Sequence, residues 1–261
     1  MSVFASTAEF YRRYRSGITP EVAELLIDAA PPGSPRSPRR LLDVGTGTGF
    51  VIDALLPAFD EAIGVDVDED LLAVAREQFA GTDQVRLVHG AAESFTVPAD
   101  WKAHLVTVCR AFHWFDRQAF LAHVVEFMAP GAAIAVLGDR SIWAGGDEWK
   151  DRARQVVQDM LGPARRAGAG TYDAGDGRFT DDLAGAGFAD VTSSFVPVRR
   201  VRTVHSVIGL LHSMSFASPA VLGDRLDEFD TRIRETLTPL TDGRGELVDH
   251  NEFYIYTGTR P

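Results

Sequence analysis

The stretch Leu41-Leu42-Asp43-Val44-Gly45-Thr46-Gly47-Thr48-Gly49 decides the fold. LLDVG (41–45) is a short apolar run suited to a buried strand, and alternating glycines break it. FVIDALLPAF (50–59) then resumes as a helix. Glycines at such a turn let the backbone reverse tightly and let a ligand approach closely. The pattern is GxGxG. A dinucleotide fingerprint, GxGxxG, needs a small residue where Phe50 stands, for close helix–strand packing. No Gly-Lys-Ser or Gly-Lys-Thr follows, so the turn is not a P-loop.

Outward from this turn the chain alternates. EAIGVD (61–66), QVRLVHG (84–90), HLVTVCR (104–110) and AAIAVLG (132–138) read as strands. EVAELLIDAA (21–30), DLLAVAREQF (70–79) and RQAFLAHVVEFMA (117–129) read as helices with one apolar face. Nearly continuous apolar strands between helices predict an α/β fold, a parallel sheet covered on both sides. PPGSPRSPRR (31–40) is a surface loop, because proline removes donors and fixes φ. After residue 140 the spacing predicts helices at 149–161, 204–214 and 219–237, strands at 188–198 and 251–259, and a glycine-marked loop over 162–177. Ser218 and Pro219 open the helix at 219. No linker is long enough to separate two domains. The expected organisation is one domain, 1–261: an N-terminal helix and loop (1–38), a ligand-binding core (39–138), the rest of the sheet with helical cap insertions (139–250) and a last strand (251–261).

Composition narrows the function. The 261 residues are 45% hydrophobic, enough for a sizeable core, and 24% charged, which argues against wholesale disorder. Acidic residues outnumber basic ones 37 to 26, a net charge of -11. Phosphate-backbone binding needs clustered Lys and Arg, so no nucleic-acid partner is expected. No apolar run approaches the roughly twenty residues that span a bilayer, so no membrane partner is expected either. Met1-Ser2-Val3-Phe4 lacks the blocks of a secretory signal, and the lone Cys109 excludes an internal disulfide; both fit a cytoplasmic protein. No His/Cys/Asp cluster has metal-site spacing, and no metal is expected.

Asp66 ends the second strand, 21 residues after Gly45. A carboxylate there can accept both hydroxyls of a ribose lying across the carboxyl edge of the sheet. Asp68 and Asp70 are better placed than Asp66 to cap the following helix. With these residues in view, the chain resembles the class I methyltransferases that use S-adenosylmethionine (SAM). LLDVGTGTG resembles their first motif, GVDVDEDLLAVARE (64–77) the second, HGAAESF (89–95) the third, HLVTVCRAFHWFD (104–116) the fourth and MAPGAAIAV (128–136) the fifth. The five run in order across roughly residues 39–138. His113-Trp114-Phe115-Asp116 is nearest a small-molecule subgroup of the trans-aconitate methyltransferase type, and YRRYR (11–15) resembles the N-terminal segment that closes over SAM in that subgroup. Thr46 stands where Cys is common, and Ala132 replaces the second of two usual glycines; neither change removes a group the cofactor needs.

The resemblance implies a Rossmann-like seven-stranded sheet, mostly parallel with an antiparallel edge hairpin. A lid over the acceptor would be built from 140–180, 199–245 and the N-terminal helix. It implies SAM as cofactor and S-adenosylhomocysteine as product. Asp43 would orient the methionine ammonium through water, Gly45, Thr46 and Gly47 would lie against the methionine and ribose, and Asp66 would hold the ribose. Val67 would flank the adenine, Ala92 and Glu93 would contact its edge, and Tyr11 would cover the cofactor. Arg110 and Ala111 would offer backbone groups to the methionyl amine. His113 and Trp114 would line the reaction pocket.

Methyl transfer from a sulfonium needs alignment and a dry pocket, and a base only if the acceptor starts protonated. His113 is the base candidate, because an imidazole titrates near neutrality; its competing role is a pocket wall. Of the aromatic run, Trp114 is assigned to the pocket and Phe115 to packing. Arg12, Arg13 and Arg15, with Arg199, Arg200 and Arg202, could make a positive pocket mouth for an anionic substrate. Arg15 and Arg199 are the pocket candidates, against the alternative of solvated surface charge. The acceptor is expected to be a small organic molecule, anionic or a natural-product scaffold, with O-methylation ahead of C- or N-methylation. A monomer and a homodimer are both compatible with this reading. Its rivals are a lyase- or cyclase-type protein that holds SAM without transferring the methyl, a nicotinamide oxidoreductase, and a non-catalytic binding or regulatory module.

Overall fold

The computed structural model describes residues 8–15, 17–33, 37–140, 142–144, 146–163, 166–167, 170–171 and 179–261. Helices α1 (Ala8–Tyr14) and α2 (Pro20–Ala29) precede strand β1 (Arg40–Val44). The chain then alternates through α3 (Phe50–Leu55), β2 (Glu61–Asp66), α4 (Glu69–Gln78), β3 (Val85–His89), β4 (Ala103–Cys109), α5 (Arg117–Val124) and β5 (Met128–Asp139). Beyond these come α6 (Glu148–Leu161), the short β6 (Arg166–Ala167) and β7 (Gly170–Thr171), α7 (Phe179–Gly185), β8 (Ala189–Thr203), α8 (Val204–His212), α9 (Pro219–Leu222), α10 (Leu226–Leu237) and β9 (Glu246–Thr259).

Among the described residues, seven strands form one sheet in the order β3-β2-β1-β4-β5-β9-β8. β1 pairs in parallel with β2 and with β4, and β4 in parallel with β5. Gly131 N bonds to Arg260 O at one end of β5, and Arg140 N to Glu252 O at the other, so β9 runs antiparallel to β5. The sheet is the Rossmann-like arrangement expected, with its antiparallel edge. Strand order reverses between β1 and β4, and ligands of open α/β sheets bind at such a switch point, beyond the carboxyl ends of the strands.

Local signals start the helices. Thr19 accepts from Val22 N at 3.4 Å ahead of α2, Asp68 accepts from Asp70 N and Leu71 N ahead of α4, and Ser218 accepts from Val221 N ahead of α9. Asp68, rather than Asp66, caps α4, as its position suggested.

Several boundaries differ from the sequence expectation. The helix expected over 117–129 ends at Val124, and Val125–Phe127 is a 3₁₀ turn before β5. Pro130 disfavours helical backbone at the residue before it, so the apolar face is cut short. The helix expected over 219–237 is two helices, because Gly223 sits at φ 54 between α9 and α10. β8 continues past residue 198, and β9 begins at Glu246 rather than 251. Part of the glycine-marked loop forms the antiparallel pair β6 and β7; residues 164–165, 168–169 and 172–178 lie outside the described residues.

The chain packs as two compact units. The sheet unit comprises Gly17–Gly138, Ala174–Val196 and Phe253–Pro261. One of its cores sets Val44, Val65, Val106 and Ile134 of the strands against Phe112, Phe120 and Leu183. The helical unit comprises Met1–Ser16, Asp139–Asp173 and Pro197–Glu252, and its core joins Trp149 and Val157 of α6, Leu211 of α8, and Phe229 and Ile233 of α10. Among the described residues, no helix is long and apolar enough to cross a membrane.

Candidate cofactor site at the glycine loop

The loop after β1 turns through three left-handed glycines, Gly45 (φ 73), Gly47 (φ 56) and Gly49 (φ 86). Gly45 is also required by space: a Cβ there would collide with the Cβ of Ala111, where the chain leaves β4. The two turns that flank the switch point thus meet backbone to side chain.

Asp43, at the end of β1, is 1% exposed. Its Oδ1 accepts from Thr107 Oγ1 at 2.7 Å, while Oδ2 and the buried hydroxyls of Thr46 and Thr48 have no hydrogen-bond partner among the protein atoms. Burial raises the Asp43 carboxyl to about 6, against the pull of the Thr107 hydroxyl and of the Thr46 hydroxyl, which lies close without hydrogen-bond geometry. Thr107 is a site residue that motif reading missed. Its only sequence signal is a hydroxyl inside the apolar run HLVTVC.

The loop amides are already paired within the protein. Gly45 N and Thr46 N both donate to Val65 O, at 2.8 and 3.0 Å, and Gly49 N donates to Thr46 O. Gly47 N donates to Asp66 Oδ2 at 2.7 Å. The other Asp66 oxygen accepts from Asp68 N at 2.9 Å. The sequence left Asp66 free of capping; the structure gives it two backbone donors. Burial pushes its carboxyl up, and these N–H groups resist the rise. A carboxylate has about four acceptor positions; these two bonds, with the Val67 N–H also acting on the group, leave acceptor capacity for a ligand hydroxyl.

The other expected positions divide. Val67 follows Asp66 and is 68% exposed, an apolar side chain held out at the sheet edge. His89 Nε2 pairs with Val67 O at 3.0 Å, a second contact that motif reading missed. Ala92 is buried in the sheet-unit core, so its side chain faces packing. Glu93 Oε1 accepts from Asp116 N at 2.9 Å. Arg110 takes left-handed backbone at φ 59, its N–H donates to Leu137 O, and its guanidinium lies over Phe253. Ala111 O accepts from Trp114 N at 2.8 Å. The two backbone groups Arg110 N and Ala111 O are therefore already engaged.

Residues Phe112–Trp114 form a 3₁₀ turn. Phe112 is buried, and Phe115 packs against Phe112 and Phe120, as the packing assignment required. Trp114 is 46% exposed, with the half-buried His113 ring against it at 5.1 Å. Cys109 is partly buried at the end of β4.

Tyr11, Arg15 and Arg199 belong to the helical unit. The Arg15 guanidinium stacks over Tyr11 at 4.8 Å and donates to Ser213 Oγ at 3.1 Å. Arg199 is exposed on β8. Of its neighbours, Arg202 is buried against Asp249 at 2.6 Å, and Arg200 pairs with Asp139 at 3.3 Å, so those two charges serve internal pairs. His205 meets Tyr14 Oη at 2.8 Å, and buried His212 lies between Ala217 O and Asp230 Oδ1.

Sheet order, the glycine loop and the carboxylate that ends β2 are those of a class I methyltransferase fold. Comparison with known proteins agrees: residues 41–131 match the family model for the methyltransferase domain. A Mycobacterium tuberculosis protein named only as an uncharacterised methyltransferase is 29% identical over 165 residues, 62% of this chain and 61% of that protein. The alignment thus spans about three fifths of the relative's length. A provisionally assigned type II methyltransferase from Anaeromyxobacter dehalogenans superposes with a TM-score of 0.64 at 19% identity, over 95% of this chain and 97% of its own. The [4+2]-cyclase SpnF gives 0.56 at 14% identity, over 93% and 81%.

Proposed function

We propose that this chain is a SAM-dependent methyltransferase acting on a small organic acceptor, of the subgroup marked by the His-Trp-Phe-Asp run. One observation supports the cofactor above all. The glycine loop has Gly45, Thr46, Gly47 and Gly49 amides paired internally, above a buried carboxylate with an oxygen unpartnered. A pyrophosphate is held by such amides and repelled by such a carboxylate, which disfavours a nicotinamide dinucleotide. A cationic ammonium suits the same arrangement. The residues therefore fit a phosphate-free adenosine cofactor that carries an amine.

SAM supplies a methyl group already activated on a sulfonium. Asp43 binds the ammonium through the side that Thr107 leaves unpaired. Asp66 receives the ribose hydroxyls while its bonds to Gly47 and Asp68 keep it oriented. Val67 offers an apolar flank to the adenine. Trp114 and His113 line the acceptor side, and His113 takes the acceptor proton where the acceptor is an alcohol or phenol. O-methylation is preferred over C- or N-methylation on that ground.

The test is a calorimetric titration with S-adenosylhomocysteine, with NAD as the comparison. Binding of the first alone is the expected result; binding of NAD alone, or of neither, would overturn the reading. A second reading keeps SAM but omits the transfer, favoured by the similarity to the fold of SpnF. Stoichiometric S-adenosylhomocysteine formed during turnover separates the two.

A further inference from the structure

We propose that Glu93 is a positioning residue: its carboxylate holds the 112–116 turn, and so sets where His113 and Trp114 stand. This rests on the reading that the turn lines the acceptor side. The resemblance would send Glu93 to the adenine edge, but the observed contact goes elsewhere.

Among the described residues three contacts anchor the turn, all within the sheet unit. Upstream, Arg110 N is bonded to Leu137 O of β5. In the middle, Phe112 is buried, with Phe120 and Phe179 edge-on to it. Downstream, Asp116 N donates to Glu93 Oε1 at 2.9 Å. The same Asp116 caps α5 by accepting from Ala119 N at 3.1 Å. His113 and Trp114 lie between the second and third anchors. The third comes from the loop after β3, and that loop is itself firm. Phe95 N bonds to Ala91 O, Phe95 is buried, and His123 Nε2 meets Phe95 O at 2.8 Å. A short acceptor on a rigid loop fixes the near end of a half-exposed turn, and a charge-assisted bond from backbone N–H to carboxylate is among the stronger kinds.

Backbone geometry permits a clean deletion of the donor. Asp116 sits at φ -68 and Phe115 at φ -86, ψ 151, values that proline and its predecessor adopt without strain. Asp116→Pro removes the N–H and the cap. Asp116→Ala removes the cap alone. Glu93→Ala removes the acceptor, and Glu93→Gln keeps one.

The measurements are amide exchange at Trp114 and Phe115, tryptophan emission with Trp114→Phe as the blank, and calorimetry with S-adenosylhomocysteine. Glu93→Ala and Asp116→Pro should each speed exchange at both amides at least tenfold and shift Trp114 emission. Glu93→Gln and Asp116→Ala should stay near the unaltered protein in both. Affinity for S-adenosylhomocysteine should change less than about threefold in Glu93→Ala. The proposal is overturned if Glu93→Ala leaves exchange and emission unchanged. It is also overturned if Glu93→Ala weakens that affinity more than tenfold while Asp116→Pro does not, since Glu93 would then contact the cofactor directly. Should the unaltered protein fail to bind S-adenosylhomocysteine, the cofactor reading falls, and exchange and emission still decide the anchor. If Glu93→Ala does not fold, exchange and emission in Asp116→Pro set against Asp116→Ala decide the anchor instead.

Discussion

Asp43 in the sheet unit and Asp249 in the helical unit are each 1% exposed, yet their surroundings are opposite. Asp249 lies 2.8 Å from Lys150 Nζ, an ion pair without hydrogen-bond geometry, and accepts from Arg202 Nε at 2.6 Å. Lys150, itself buried, also pairs with Asp147 at 2.9 Å and donates to His250 O. Asp147 in turn meets His250 Nδ1 and His250 N, both at 2.8 Å. Every charge in that network faces an opposite one. Asp43 faces hydroxyls and no cation: Thr107 bonds one oxygen, the Thr46 hydroxyl lies close, and the second oxygen has no hydrogen-bond partner among the described residues. A buried charge without a counterion is costly, and such groups cluster at functional sites. Partnering, rather than burial, is what differs between the two carboxylates.

The strongest test of this contrast is Asp249→Ala. It strands Arg202 in the interior and leaves Lys150 with Asp147 as its carboxylate partner, and breaking such a buried pair costs about 3–5 kcal/mol. Urea unfolding should show that loss. Asp66→Ala should act on binding instead: the ribose loses a charged acceptor and the loop loses a brace for Gly47 N, worth about 1.5–3 kcal/mol. Calorimetry with S-adenosylhomocysteine should then show affinity lower by tenfold or more.

Asp43→Asn is the counterpart of Asp249→Ala. It removes a desolvated charge and keeps an acceptor for Thr107, so stability at pH 7.5 should hold or rise while affinity for S-adenosylhomocysteine falls about tenfold. Equal destabilisation at the two positions would break the comparison.

The pH dependences should also oppose each other. Asp43 is raised to about 6 in the fold, above an unfolded carboxyl near 4. Its contribution therefore grows as pH falls through that window and disappears above it. For Asp147, burial would raise the carboxyl, but hydrogen bonds from His250 and Lys150 hold it below the ordinary value. Its stabilisation is present above the unfolded value and lost as pH falls through the folded one. Unfolding of Asp43→Asn across pH 4–7, and of Asp147→Asn below about pH 4, each set against the unaltered protein, should show the two slopes. Affinity for S-adenosylhomocysteine should weaken below about pH 6, with protons released on binding, read from calorimetry in buffers of different ionisation enthalpy. The smallest effect is expected at His113→Ala: affinity for S-adenosylhomocysteine should stay within about twofold. Turnover, once an acceptor is found by screening, should fall far more.

Much of the sheet unit was legible in the chain. The GxGxG turn, Asp66 at a strand end and Asp68 as the cap depend on residues within a few positions of one another, where steric rules act directly. The helical unit was less so. The single helix expected over 219–237 breaks at Gly223, and β8 and β9 run longer than their apolar alternation, because pairing with each other and the Arg202–Asp249 bond extend them. Arg200 and Arg202 read as surface charge or pocket mouth until their partners, 61 and 47 residues away, were located.

The sequence alone therefore determined the α/β alternation, the glycine turn and the chemical types at the sheet edge, since these follow from local propensity and period. Only the tertiary structure decided how those types are used. It showed that the loop amides are taken, that Thr107 reaches Asp43 across 64 residues, and that Glu93 grips Asp116. Hydrogen-bond partnership is set by which strands and turns become neighbours, and no periodicity within one segment records that.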